Sequence, residues 1–320
     1  MALELKPSRA MTLVALLASS LGVNASLVSR EIHRTFAVST AEPVSLLVEL
    51  REGDLRIAYA REGEVSISAV PQDASNIDLE SLATRVAITQ AGNRVEIRER
   101  RGSDNQSLKL TYTIDVPYRT EIRSSVQHGN QTMTGVMGPV SAKGGSGDIE
   151  VTYISLGVVA SAQTGNVSCE VVGGRIEVRT GAGNIECRRA LQGIDAETGS
   201  GEIALAVVGS SVAVVRGGVG RIDIAGARGP LFASTSAGDL HVKAVPHEDW
   251  QLSSSSGTIR IELPPGAGFD LDAATGFGDV VIRREDLKKP DAEFRRITQR
   301  ANAGGKRIEI RSDDGDIVIE

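Results

Sequence analysis

Four segments, GDIEV at 147–151, GNVSC at 165–169, GNIEC at 183–187 and GEIAL at 201–205, repeat one pattern at even spacing. Each has a glycine, a variable residue and two apolar residues at alternate positions. Further copies begin at the glycines of positions 129, 220, 238, 257, 278 and 315. A nearly fixed period of this length is typical of stacked structural repeats.

A second apolar pair precedes most of these glycines, and its first member usually lies seven positions upstream. The pairs are Val140/Ala142, Val158/Ala160, Ile176/Val178, Ile194/Ala196, Val212/Val214, Leu231/Ala233, Trp250/Leu252 and Phe269/Leu271. Residues at i and i+2 point to the same side of a strand, so each unit contains two short strands with one inward side each. An antiparallel meander would also alternate, but it gives no reason for like residues to recur once per unit. The sequence therefore predicts an all-β, parallel β-solenoid with two short strands per coil of about 18 residues.

The regular period divides the chain into four parts. Residues 1–25 are expected to form a signal peptide, 26–121 an irregular, β-sandwich-like N-terminal region that caps the solenoid, and 122–284 the solenoid repeats. The coil-like segment GDLRI at 53–57 leaves a second possibility, that the N-terminal region grades into the solenoid. Residues 285–320 are expected to contain an insertion followed by two C-terminal cap strands, at 306–311 and 316–320. Short helices are expected at 76–83 and 291–300.

The first residues have the pattern of an export signal. Lys6 and Arg9 precede an apolar run at 10–23, and Val23-Asn24-Ala25 fits a cleavage site after Ala25. The apolar run is short for a membrane span, although an uncleaved anchor is the alternative. The protein is therefore expected in the periplasm, outside the cell or at the cell surface.

Charge and composition narrow the range of partners. The net charge of -6 argues against nucleic acid, because phosphate binding needs a basic surface. The C-terminal part is locally basic, which predicts either a solvated loop or a weak contact with an anionic surface. The residues concerned are Arg283, Arg284, Lys288, Lys289, Arg295 and Arg296.

The two cysteines occupy the same inward position in successive coils. Parallel strands in register lie about 4.8 Å apart, so Cys169 and Cys187 should be stacked neighbours. They could form a disulfide in an oxidising compartment or remain two buried thiols. Two cysteines and four scattered histidines cannot build a zinc cluster, and no cofactor is expected.

Catalytic groups are sparse in the sequence. Glu177 and Asp195 should be adjacent on the outward side of the first strands, which leaves a polysaccharide-active enzyme as one alternative. No long loop beside these coils could build a cleft, and no spacing suggests a Ser/His/Asp set. Trp250 falls at an inward position and is expected in the core. The sequence therefore predicts a protein that is not an enzyme.

Several segments together resemble a bacterial family. They are REIHRTFAVS at 30–39, GDLRI at 53–57, EVSISAV at 64–70, DVPYRTEI at 115–122 and the GDIEV, GNIEC and GEIAL coils. This combination resembles the DUF4097 family, which is labelled as candidate adhesins and is related to toast-rack domains. The resemblance implies an extracytoplasmic β-solenoid and offers no catalytic residues to transfer.

These observations favour a non-catalytic, adhesin-like protein that is exported to the cell envelope. It would act as a binding or scaffold protein and use the solenoid face to contact a polymer or another protein. The first alternative is an envelope-stress accessory protein that contacts a membrane or protein partners. The polysaccharide-active enzyme is the less favoured alternative.

Overall fold

The computed structural model describes residues 31–72, 84–100, 109–207, 209, 211–288 and 294–320, and its strands form one continuous, mostly parallel β-structure. The predicted fold class is confirmed. Residues 1–30, which include the predicted signal peptide and the cleavage site after Ala25, lie outside the described residues, so export stays a prediction. Within the described ranges, no helix is both long and apolar enough to cross a membrane.

The central coils stack in the predicted register. Ile149 pairs with Val167, Val167 with Ile185 and Ile185 with Ile203, each in parallel alignment. The strands of this part are β9 (Val140–Ser146), β10 (Ile149–Ile154), β11 (Val158–Thr164), β12 (Val167–Ala182), β13 (Ile185–Ser200), β14 (Ile203–Val207), β15 (Ala213–Val219), β16 (Ile222–Ala225), β17 (Leu231–Ala237), β18 (Leu240–Lys243), β19 (Trp250–Ser256) and β20 (Ile259–Glu262). Equivalent residues of successive coils therefore lie one inter-strand step apart.

The coils have two faces with the core between them. The first strands of successive coils form what we call the first face, and the second strands form the second face. The strands β12 and β13 each continue from the second face of one coil to the first face of the next. Inward side chains such as Ile176, Val178, Ile185 and Trp250 are fully buried between the faces, which confirms the expected core position of Trp250.

One predicted inward pair is wrong. Ala213 and Val215 are buried in β15, whereas Val212 is exposed and Val214 points outward. The glycines at 201 and 220 are one position further apart than those of the preceding coils, and the additional residue precedes the strand. Because side chains alternate with a period of two, a shift by one residue exchanges the inward and outward sets.

The N-terminal region continues the stack out of chain order, as the coil-like segment at 53–57 allowed, and is not a separate sandwich. The long strand β2 (Val44–Tyr59) is itself one coil, and it pairs in parallel with strands of two other coils. Its partners are β5 (Arg94–Glu99) and β6 (Leu110–Val116) on one side, and β7 (Thr120–His128) and β8 (Gln131–Thr134) on the other. The remaining strands β1 (Ile32–Ala37), β3 (Glu64–Pro71) and β4 (Val86–Ala91) pair antiparallel at this end. The helix expected at 76–83 lies outside the described residues.

The C-terminal end uses the same arrangement. The last coil, β24 (Lys306–Asp314) and β25 (Ile317–Ile319), lies between β19/β20 and the coil formed by β21 (Phe269–Phe277) and β22 (Val280–Ile282). The expectation that the last two strands cap the stack is therefore wrong, since β21, β22 and the antiparallel β23 (Arg296–Ala301) end it. Strand β23 also replaces the described part of the helix expected at 291–300.

The turn glycines allow the coils to approach closely. Gly183 has a φ of 149°, and a Cβ atom there would lie 2.1 Å from the carbonyl oxygen of Gly165. The next residue continues the contact, because the Asn184 backbone N–H donates to Oδ1 of Asn166 at 2.9 Å. The recurring Gly-Asn sequence thus has a structural role, in which the glycine provides space and the amide side chain binds the neighbouring backbone.

Candidate functional site

The outward side chains of the first face align in columns. One stretch of such a column passes from Asp195 through Val214, Phe232, Gln251 and Glu309 to Asp272. Charged residues occupy its ends, whereas Val214 and Phe232 form an apolar centre. The Phe232 side chain is 40% exposed although it lies on a regular strand. An exposed aromatic ring in the middle of a polar face is a feature of binding surfaces.

A cavity of 630 Å³ lies over this apolar centre, and we call it the Phe232 cavity. Val214, Phe232 and Gln251 contribute to its floor, and Arg216 and Arg311 line it in the adjacent column. Between these two arginines the adjacent column carries only Ser234 and Ser253. The short serine side chains leave the space that the long arginine side chains enclose.

The rim at Arg216 is a network of ion pairs. Arg216 donates to Asp195 at 2.9 Å, and Arg175 and Arg179 each lie 4.0 Å from the same carboxylate. Glu177 is the Cα partner of Asp195, as the register predicted, and it accepts a hydrogen bond from Arg179. This hydrogen bond and the negative charge of Glu177 raise the pKa of Arg179. Both carboxylates of the proposed catalytic pair are therefore neutralised by arginines.

The opposite rim carries more positive than negative charge. Asp272 Oδ2 accepts hydrogen bonds from Arg311 at 2.9 Å and Arg307 at 3.2 Å, and its Oδ1 lies 3.6 Å from Arg296. Glu309 also contacts Arg307 and Arg311. The hydrogen bond from Arg311 and the charges of the three arginines lower the pKa of Asp272 against the effect of burial. Three arginines and two carboxylates leave one positive charge in excess at this rim.

The Asp272 cluster predicts a pH-dependent contribution to stability. Because its pKa is lowered in the folded state, the contribution is present above the pKa of the unfolded carboxyl and is lost as the pH falls through the folded pKa. Asp272→Asn should lower the unfolding free energy at neutral pH by about 2 kcal/mol, since the side chain is only 13% exposed. The difference from the wild type should shrink below about pH 4 in chemical denaturation.

Asp270→Asn is the matched control for this prediction. Asp270 lies on the same strand, is 41% exposed and binds only Arg300, at 2.7 Å, among the described residues. Such an exposed pair should contribute less than about 1 kcal/mol. Equal losses in the two variants, or a constant loss for Asp272→Asn across the pH range, would contradict the assignment.

The second face has a histidine between two carboxylates. His241 Nδ1 lies 3.1 Å from Asp223, and its Nε2 lies 2.9 Å from Glu262. Glu262 also binds Lys243 at 2.7 Å, and these hydrogen bonds lower the pKa of Glu262. A smaller hollow of 290 Å³ lies over outward alanines such as Ala204 on this face. Among the described residues, no group of three or more His, Cys, Asp or Glu side chains is arranged to hold a metal ion.

Most of the basic residues near 283–296 are engaged within the protein. Arg284 is buried, donates to the Leu263 carbonyl oxygen and to Asp286, and lies over the Phe269 ring. Its expected contact with an anionic surface is therefore wrong. Arg283 pairs with Glu320, Arg296 lies near Asp272, and Arg295 lies over Phe277. The Lys288 backbone N–H donates to Gln299, and Lys289 lies outside the described residues.

Cys169 and Cys187 are Cα partners in adjacent strands. Both side chains are buried, and both thiols are free in this structure. The hydrogen bond between the thiols and their burial raise the pKa of Cys187. The raised pKa keeps this thiol protonated and poorly reactive at neutral pH. Oxidation to a disulfide stays a prediction.

The fold and its open faces define a β-solenoid repeat protein. The chain belongs to the Toastrack DUF4097 family, whose model matches residues 44–320. The resemblance inferred from the sequence motifs is thus confirmed. Comparison with curated proteins gives no match.

Three solved structures are similar to this chain over most of its length. A candidate adhesin from Bacteroides fragilis is 11% identical, with 93% of this chain and 100% of that chain covered and a TM-score of 0.32. A candidate adhesin from Parabacteroides merdae is 10% identical, with 92% and 98% covered and a TM-score of 0.30. A candidate cell adhesion protein from Clostridium sporogenes is 9% identical, with 90% and 98% covered and a TM-score of 0.21. At these values the likeness carries no argument about ligands.

Phe232 lies between the predicted inward residues Leu231 and Ala233, so the sequence places it outward, but the sequence does not reveal the cavity. The available signal was an outward aromatic residue followed by Ser234 and Ser253 in the adjacent column. The Arg311 rim could not be found in this way, because it depends on the place of β24 in the stack.

Proposed function

We propose that this protein is a non-catalytic binding protein of the cell envelope that holds its ligand on the first face, at the Phe232 cavity. The observation that carries the proposal is the Phe232 ring, 40% exposed at the centre of a 630 Å³ cavity with an arginine at each side. The ring offers apolar contact, and Arg216 and Arg311 offer hydrogen-bond donors to acidic or polar groups. An extended polymer or protein segment fits such an open site better than a small enclosed ligand.

The state of the carboxylates supports a role other than catalysis. A glycosidase needs one carboxyl group to donate a proton and the other to act as base or nucleophile across a bound sugar. Glu177 and Asp195 are instead bound by Arg179 and Arg216. Turnover on a panel of glycans that is abolished by Glu177→Gln or Asp195→Asn would contradict the proposal.

The direct test compares two exposed apolar residues of one column. Phe232→Ser should lower retention on isolated envelope fractions about tenfold or more, as expected for an aromatic at the centre of an interface. Val159→Ser is the matched control, because Val159 is 46% exposed and lies in the same column four coils away. Retention should be measured quantitatively from mixtures of each purified variant with the fractions. No retention of the wild type, or equal retention of the two variants, would refute the assignment of this cavity.

A further inference from the structure

A row of exposed apolar side chains follows one edge of the stack, where the second strands end. Three of the four tyrosines of the chain belong to it, whereas Tyr112 is buried. The row consists of Tyr59, Tyr118, Met137, Tyr153, Leu156 and Leu191, each at least 41% exposed. We call this edge the tyrosine ridge. The chain turns there from the second face to the first.

The ridge residues are neighbours in space. The rings of Tyr59 and Tyr118 lie 5.7 Å apart, and the Met137 backbone N–H donates to the Tyr118 carbonyl oxygen. The Tyr118 hydroxyl lies 3.2 Å from the hydroxyl of Ser155, next to Leu156. From Tyr59 to Leu156 the ridge is thus one continuous apolar strip, which is unusual for a surface exposed to water. Leu191 follows two coils further along, beyond Gly173 and Gly174.

The backbone of the ridge is strained where side chains are displayed. Tyr153, Val171 and Arg189 occupy the same position in three successive coils and have positive φ angles of 56°, 54° and 56°. The equivalent residues in two other coils are Gly135 and Gly226, with φ angles of 75° and 71°. A residue other than glycine costs about 1–2 kcal/mol in this conformation. Tyr153 and Arg189 are both exposed at these positions, where glycine would avoid the strain. Their presence indicates that the two side chains have a use at the surface.

The two edges of the stack carry opposite charge. Up to residue 230, the described turns of the ridge contain Glu42, Glu62 and five arginines, namely Arg61, Arg119, Arg175, Arg189 and Arg228. All of these arginines except Arg175 are exposed without an ion pair to any described residue. The short turns centred on the stacked glycines form the other edge. Over the same range they contain Arg221 and four carboxylates, which are Glu52, Asp54, Asp148 and Glu202. Beyond residue 230 these turns add Asp239, Asp279, Asp314 and Asp316.

The basic part of the ridge has a clear end. Further along the same edge, Glu248 and Asp249 replace the arginines. Their carboxylates bind Lys306 and the Arg307 backbone N–H of the inserted last coil. The exposed apolar side chains and the unpaired arginines therefore lie on the same part of this edge, between Tyr59 and Arg228. Together they form one surface that is both apolar and basic.

We propose that the tyrosine ridge binds the surface of a lipid bilayer that contains anionic lipids. Tyrosine is suited to the boundary between headgroups and acyl chains, and leucine and methionine can insert their apolar ends there. The unpaired arginines would contact lipid phosphates, while the acidic edge faces away from the membrane. A single row of side chains offers little area to a folded partner, whereas a bilayer adapts its surface to such a row. The proposal does not depend on the Phe232 cavity.

Vesicle flotation tests the proposal with the chain that follows the predicted cleavage site, from Ser26, which retains every described residue. The wild type should bind vesicles of phosphatidylcholine mixed with phosphatidylglycerol, should not bind phosphatidylcholine alone, and should dissociate as salt is added. The double variants Leu156→Ser/Leu191→Ser and Arg119→Glu/Arg189→Glu should each reduce the bound fraction at limiting lipid about tenfold. All four residues are exposed, so circular dichroism should confirm unchanged folding.

The control variant is Val219→Ser/Phe277→Ser on the opposite edge. These two side chains are 59% and 69% exposed, more than those of the ridge, and should be dispensable for vesicle binding. Equal loss in the control and ridge variants, binding without preference for anionic lipid, or no binding would overturn the proposal. Binding to a soluble anionic polysaccharide without binding to vesicles would also overturn it, because the ligand would then be a polymer.

Discussion

Gly183→Ala should lower the free energy of unfolding by about 3 kcal/mol or more, from backbone strain and steric overlap that each cost about 1–3 kcal/mol. The added Cβ would lie 2.1 Å from the carbonyl oxygen of Gly165, in a backbone that cannot retreat without breaking the pairing of adjacent coils. The φ of 149° is also a conformation that essentially only glycine adopts. Urea denaturation followed by circular dichroism would measure the loss.

Gly92→Ala separates the two causes. Gly92 has a φ of 60° in the turn between β4 and β5, and a Cβ there would meet no described atom within 4 Å. Alanine at this position should cost only about 1 kcal/mol, from the backbone conformation alone. If the two variants lose equal stability, close stacking of the glycine turns is not what requires Gly183.

Trp250→Ala should lower the unfolding free energy by about 3–5 kcal/mol, the range for loss of a large buried aromatic side chain. Trp250 is the only tryptophan, is completely buried and pairs with Leu231 on one side and Ile308 on the other. The cavity would therefore open where the last coil is inserted into the stack. Hydrogen exchange should accelerate in β24 and β25 more than in β10 or β11. Chemical denaturation should measure the total loss of unfolding free energy.

Trp250→Phe is the matched comparison. Phenylalanine retains most of the apolar contact and removes the indole Nε1, which is buried without a hydrogen-bond partner among the described residues. Removing an unsatisfied buried donor offsets part of the lost packing, so the cost should be well below that of alanine. A phenylalanine variant as unstable as the alanine variant would show that the volume of the indole, rather than its apolar contact, supports this coil.

Much of the candidate surface could be predicted from the sequence, but the contacts of its arginines could not. The adjacency of Glu177 and Asp195, and the outward direction of Phe232, follow from counting whole repeats along the chain. The arginines that neutralise the two carboxylates were not predicted, because long side chains reach across columns. The burial of Arg284 was also missed, since its partners Leu263 and Asp286 belong to irregular turns without a period.

By itself, the sequence determined the strand pattern, the inward rows and the parallel register of neighbouring coils. These properties are local, because a side-chain period of two and a glycine in each turn decide which atoms can face the core and how closely two coils approach. Only the tertiary structure decided the order of the coils at the two ends, where β2 and β24/β25 are inserted between coils that are distant in sequence. Every coil presents the same aliphatic rows and unpaired backbone groups, so the repeat does not specify its neighbour. That order places Arg311 beside the Phe232 cavity.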